Sequence, residues 1–223
     1  ALLGLMLACS DDDYGSSAPP PPPPPPPPGP LATVVTATGD IRAKVEEFRT
    51  ALGASNGTTV GEQPGGRREI NWDGAAANPF NNRNDFPADF FNQNVKVGAI
   101  YTTNGTGFRN DSLSFSEVNP GYATEFSAFS PTKVFAPVGS NLMDQLFQVA
   151  GQPTPAVVRG FGIVFSDVDV ADRTTIQLFA LDGSSLGTFV SPVRSDVGGS
   201  TFVGVSFTEA IIARVRITLG TGA

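Results

Sequence analysis

The chain has 223 residues, a formal net charge of −7, 40% hydrophobic and 16% charged residues, no histidine and one cysteine. Without histidine there is no Ser-His-Asp or Cys-His triad, no HExxH zinc site and no imidazole base, and a lone cysteine closes no disulfide within the chain. A nucleic-acid partner needs a basic patch, and the only adjacent basic pair is Arg67-Arg68, so nucleic acid is not an expected partner; carboxylate chemistry and calcium binding stay open.

The first elements read as export and spacer sequence. Ala1 to Ala8 is an apolar run ending at a small residue before Cys9. It is too short to span a bilayer and suits the late part of a signal peptide. Met6-Leu7-Ala8-Cys9 resembles the bacterial lipobox, with Met6 where Leu or Val is more usual, and Cys9 is the expected lipidation site. An ordinary signal peptide with an incidental cysteine is the alternative. An acidic stretch follows, then an unbroken proline run from Pro19 to Pro28. Polyproline II rises about 3.1 Å per residue, so the run makes a semi-rigid rod of roughly 30 Å. Directly after an anchor, a spacer is a simpler reading than a ligand for a proline-binding module. Residues 1–9 are therefore expected to be a partial signal peptide with lipobox, 10–39 a disordered acidic and proline linker, and 40–223 a β-sandwich domain truncated at its C-terminus.

Abundant Phe and β-branched residues with few charges favour a mainly β fold. One amphipathic helix is predicted from Asp40-Ile41 to Gly53, because Ile41, Val45, Phe48 and Leu52 share a helical face. Asp40 can cap it and Gly53 can end it. Strands are then predicted at 69–72, 96–102, 112–115, 133–136, 142–149, 156–167, 175–181, 185–190, 201–207 and 213–219. Asp182-Gly183 marks a turn of more than two residues. The near-continuous run Phe202, Val203, Val205, Phe207 suits a strand buried on both faces. Many short strands with Gly- and Pro-rich turns predict a two-sheet, jelly-roll-like β-sandwich.

Two stretches carry candidate sites. In Glu69-Ile70-Asn71-Trp72-Asp73 a strand would place Ile70 and Trp72 on one face and Glu69, Asn71 and Asp73 on the other. Glu69, Asn71, Trp72 and Asp73 are thus candidate ligand-binding residues, for a glycan or calcium. The alternative is structural: Arg67 or Arg68 pairs with a carboxylate and Asp73-Gly74 makes a turn. In Asp167-Val-Asp169 the acids would continue the face of Phe161, Ile163 and Phe165, where they must be paired, hydrated or metal-bound. Asp73, Asp167 and Asp169 are the candidate Ca²⁺ ligands, since carboxylate oxygens suit that ion; solvated strand-end acids are the alternative. The amide- and Phe-rich loop 78–92 is expected to plug the core rather than bind sugar. Ser130-Pro-Thr-Lys133 matches an SxxK string, but it contains proline and lacks the partner motifs, so it is read as coincidence.

Taken together, Gly66-Arg-Arg-Glu-Ile-Asn-Trp-Asp-Gly74, Gly105-Thr-Gly-Phe108, Phe129-Ser-Pro131, Val158-Arg-Gly-Phe-Gly162 and Val164-Phe-Ser-Asp-Val-Asp169 resemble an uncharacterised family of exported bacterial proteins with a GRREINWDG motif. The resemblance spans about residues 41–219. It implies a jelly-roll-like sandwich, often lipoprotein or surface-anchored, in which a final acidic strand follows. It implies no activity. The expected function is a lipid-anchored, non-catalytic module of the cell envelope that binds glycan or matrix with a structural calcium. The alternatives are a purely structural envelope domain and a carboxylate-dependent glycoside hydrolase.

Overall fold

A computed structural model of the chain describes residues 31–75 and 79–221. The lipobox at Cys9 and the proline run lie outside these residues. The fold is mainly β, built of antiparallel pairs. Its strands are β1 (Thr33–Thr38), β2 (Ala99–Thr103), β3 (Gly107–Asp111), β4 (Val134–Val138), β5 (Leu142–Phe147), β6 (Gly160–Ser166), β7 (Thr175–Phe179), β8 (Ser185–Val190), β9 (Ser200–Ser206) and β10 (Arg214–Thr218). Helix α1 spans Arg42–Leu52, and two single turns, α2 (Phe90–Gln93) and α3 (Tyr122–Glu125), lie in connections. Among the described residues no helix is long and apolar enough to cross a membrane.

Three sheets result, in the orders β1-β9-β6, β2-β5-β10-β7-β8 and β3-β4. The first two enclose the main core. Phe161, Phe165, Val203 and Val205 come from one side, and Tyr101, Met143, Ile176, Leu178, Val215 and Ile217 from the other. The β3-β4 hairpin closes the end of this core with Phe108 and Phe135, against Phe86, Phe90 and Phe91 of the 79–93 connection. The connection 78–92 is therefore not a loop throughout, because Phe90 and Phe91 sit on the α2 turn.

A second, smaller core lies on the outer face of the three-stranded sheet, where α1 docks with Ile41, Val45 and Phe48 on Phe202. The docking depends on the absence of side chains beneath it. A Cβ at Gly204 would lie 2.8 Å from the Phe48 ring and 2.9 Å from that of Phe202, and one at Gly162 would meet the same two rings at 2.8 and 3.0 Å. With α1 on one face and the main core on the other, five of the seven residues of β9 are buried, Thr201 to Val205.

Four expectations are corrected. Thr33–Thr38 is not linker but a strand, paired to β9 from Thr33↔Ser206 to Thr38↔Thr201. Residues 112–115 are not a strand. The strand is Gly107–Asp111, and Ser114 and Phe115 take left-handed φ values of 52° and 62°. Residues 69–72 form no strand, and Trp72–Ala75 is a 3-10 turn. Finally, Asp167 does not continue the inner face of β6. Its φ of 62° breaks the alternation, so Val168 turns into the core at 3% exposure and Asp169 is exposed.

Replacing Gly204 by Ala is expected to overpack this contact and to destabilise the fold by about 1–3 kcal/mol. Chemical denaturation checks this, and the added substitution Phe48→Leu is expected to recover part of the loss.

Candidate functional site

The GRREINWDG stretch is consumed by its own fold. Arg67 is paired to Ser55 by a parallel bridge. Its Nη1 donates to the Gly53 carbonyl at 2.5 Å, and its Nε donates to Glu69 Oε1 at 2.7 Å. Arg49 of α1 donates to the other oxygen of Glu69 at 2.6 Å. Burial alone would raise the Glu69 carboxyl, but hydrogen bonds and charge from Arg67 and Arg49 outweigh it and hold the group below the usual carboxylate range. Arg68 points elsewhere and donates to the carbonyls of Gly57, Gly61 and Lys96. One arginine thus pins α1 to the motif through Glu69, and the other gathers three stretches of backbone.

Ile70 and Trp72 pack on the main core while Glu69 and Asn71 are exposed. The expected division of faces therefore holds without a strand. Trp72 stacks on Phe135 with centroids 4.1 Å apart and planes at 7°, and meets Phe91 edge-on at 5.2 Å. Its carbonyl accepts from the buried Asn110 side chain at 3.2 Å. Asn71 accepts the Asp73 N–H, opening the turn. Asp73 then reaches a residue 59 positions on: it accepts the Thr132 N–H at 3.1 Å and the Thr132 hydroxyl. Burial pushes the Asp73 carboxyl up, but hydrogen bonds from Thr132 and Ser130 and the charge of Lys133 prevail and lower it. The Ser-Pro-Thr-Lys string thus serves as the partner of Asp73. Sequence spacing carries no signal for that pairing.

Asp167 and Asp169 stand at the far end of β6. Burial, then Asp169, then Glu125 push the Asp167 carboxyl up. Among the described residues no ion pair neutralises these three carboxylates. No three acidic, His or Cys groups there lie where they would share a metal ion.

One concavity was not anticipated. A concavity of about 1760 Å³ is lined by residues of β4, β5 and β6, among them Phe135, Pro137, Gln145, Phe147 and Ile163, and by the GRREINWDG stretch. Phe115, Tyr122 and Phe126 also line it. Their rings meet edge to face, with centroids 5.7 Å apart for Phe115–Phe126 and 5.2 Å for Tyr122–Phe126. Asp111, fully buried, holds this cluster. One of its oxygens accepts the Leu113 and Phe115 N–H groups, and the other accepts from Arg109, which also binds Glu117. This network keeps Ser114 and Phe115 in the left-handed region that non-glycine residues seldom occupy. Comparison with family models, with curated proteins and with solved structures finds no match.

Asp73 has a folded pKa below its unfolded value, so its contribution is complete above the unfolded value and is lost as pH falls through the folded one. The substitution Asp73→Asn is expected to cost about 1–2 kcal/mol, steady above about pH 5 and shrinking below about pH 4. For Asp167 the sign reverses: its charged form is disfavoured in the fold. Asp167→Asn, which suits a positive φ, is expected to raise Tm more at pH 7 than at pH 4. Melting curves across this range check both.

Proposed function

We propose that the chain is a non-catalytic binding module of the bacterial cell envelope and that its ligand is an extended surface polymer, glycan or matrix, held in the concavity lined by β4, β5 and β6. The observation that carries this reading is the concavity itself: it is about 1760 Å³ in volume and is lined by aromatic side chains, Phe115, Tyr122 and Phe126 among them, together with polar ones such as Gln145. Concave, largely apolar surfaces with a few polar groups are the usual form of a ligand site. A lipid anchor at Cys9 and a rod from Pro19 to Pro28 would hold such a domain away from the membrane. The resemblance to an exported family with the GRREINWDG motif fits the same picture.

The domain is proposed to be a jelly-roll-like sandwich, in keeping with antiparallel pairs between distant strands such as β1–β9, β2–β5 and β5–β10. The GRREINWDG stretch lines part of this concavity, but its carboxylates are already engaged. Glu69 and Asp73 are spoken for by Arg49, Arg67 and Thr132, which leaves Asn71 as the outward polar group. The same bonding bears on hydrolysis. A glycosidase needs two carboxyls with pKa values pushed apart, one of them raised, and both of these are lowered.

The test is co-sedimentation of the chain with insoluble peptidoglycan, a bacterial surface polysaccharide and a bacterial matrix protein. At least one polymer is expected to retain it. Tyr122→Ala with Phe126→Ala is expected to weaken retention about tenfold, equivalent to ~1.4 kcal/mol, while Tm stays close to that of the parent. Retention by none of the three, or retention unchanged in the double variant, contradicts the proposal.

A further inference from the structure

The tripeptide Asn-Gly-Thr occurs at 56–58 and again at 104–106, and each copy follows a hydroxyl residue, Ser55 or Thr103. Asparagine before glycine is open to attack by its own backbone. Glycine carries no side chain, so its nitrogen reaches the asparagine Cγ with little hindrance. The nitrogen bonds to Cγ and the Cγ–Nδ2 bond breaks. The amide leaves as ammonia, taking up the proton that the glycine nitrogen loses, and a five-membered succinimide remains. Water then opens the ring at one carbonyl or the other, leaving aspartate or isoaspartate. Water is the sole co-reactant.

The two copies match in what holds the glycine. The Gly57 N–H donates to Ser55 Oγ at 3.3 Å, and the Gly105 N–H donates to Thr103 Oγ1 at 3.0 Å. They differ at the asparagine. Asn56 is half-buried. Its Nδ2 donates to the Gly65 carbonyl at 2.7 Å and its backbone N–H to the Arg67 carbonyl at 2.8 Å. Its amide also lies against Gly66, where an added Cβ would fall 2.9 Å from Nδ2. To react, Nδ2 must leave the Gly65 carbonyl and Cγ must turn toward Gly57 inside this contact. Asn104 stands exposed in the turn between β2 and β3, and its side chain makes no hydrogen bond with a described residue.

The fold also keeps glycine at 105. A Cβ there would strike the Val138 carbonyl oxygen, so the close approach of this turn to β4 requires the residue that makes Asn104 labile.

We propose that Asn104 is a site of spontaneous deamidation in the folded chain, giving aspartate and isoaspartate, and that the fold protects Asn56 in the same tripeptide. The product changes the turn. Isoaspartate lengthens the backbone by a methylene and adds a negative charge. It shifts Gly105 away from Thr103, whose hydroxyl donates to the Leu142 carbonyl at 2.7 Å. It also loosens Thr106, whose N–H donates to the Val138 carbonyl at 2.8 Å. Val138 and Leu142 flank the turn between β4 and β5, so the reaction weakens the tie between two neighbouring turns.

The test holds the 223-residue chain in mildly alkaline buffer, folded and in denaturant, and follows both asparagines by peptide mapping and mass spectrometry. In the folded chain Asn104 is expected to convert at least about tenfold faster than Asn56, a barrier difference of ~1.4 kcal/mol. In denaturant the two are expected to convert at similar rates, because the tripeptides are identical. Equal rates in the folded chain, or a slower rate at Asn104, overturn the proposal. So does the same preference in denaturant, which would assign the difference to local sequence and not to the fold. So does an Asn104 that stays intact in the folded chain while the denatured chain converts. The isoaspartate form, separated by ion exchange, is expected to show faster hydrogen exchange at the Thr106 amide; unchanged exchange there contradicts the loosening of the turn.

Discussion

The stack of Trp72 on Phe135 is the contact on which the rest of the arrangement depends. It joins the GRREINWDG stretch to β4, and Phe135 in turn stacks on Phe108 of β3. From the same indole, Phe91 continues the contact into the 79–93 connection. Polar groups then lock what the rings position: Asn110 on the Trp72 carbonyl, Thr132 on Asp73, and Arg67 and Arg49 on Glu69. A concentration of charge around one tryptophan thus has a structural cause. Each charged side chain in the stretch fastens a different neighbouring segment, and the aromatic ring provides the common centre.

The three-stranded sheet is organised around a different contact. It is held by β9, buried on both faces, with α1 pressed onto Gly162 and Gly204. Among the described residues its far strand, β6, pairs with β9 alone. An unpaired edge that long is usually blunted by proline, charge or a bulge. The described residues of β6 are apolar or small apart from Ser166, and the nearest charges, Arg159 and Asp167, lie just past its ends.

Much of the sheet framework was legible in the sequence. The bounds of β8 coincide with those predicted, and β5, β7, β9 and β10 fall within predicted stretches or within one residue of them, because alternating or continuous apolar runs are bounded there by turn residues such as Asp182-Gly183. The misses have physical causes. Thr33–Thr38 is an edge strand of small residues, half exposed, so its alternation carries little hydrophobic contrast. β3 buries Arg109, Asn110 and Asp111, which hydropathy reads as surface. Their burial is made tolerable by hydrogen bonds that Arg109 donates to Asn84 and Glu117 and Asn110 donates to the Trp72 carbonyl, and by those that Asp111 accepts from the Leu113 and Phe115 N–H groups. At the site, the facing of Ile70 and Trp72 was legible, but the partner of Asp73 was not, since nothing local relates positions 73 and 132. The left-handed turn at Asp167 was equally invisible, and it is what takes the acids off the core face.

The most direct test of the central claim is a double-mutant cycle across the stack, with Trp72→Leu, Phe135→Leu and the double variant compared by denaturant unfolding. Aromatic pairs contribute about 0.5–1.5 kcal/mol beyond their buried area, and this pair, parallel and central, is expected to show a coupling of roughly 1 kcal/mol in that range. Two single losses that simply add would contradict the account, because Trp72 and Phe135 would then be separate members of the core and the motif would not be its organising centre.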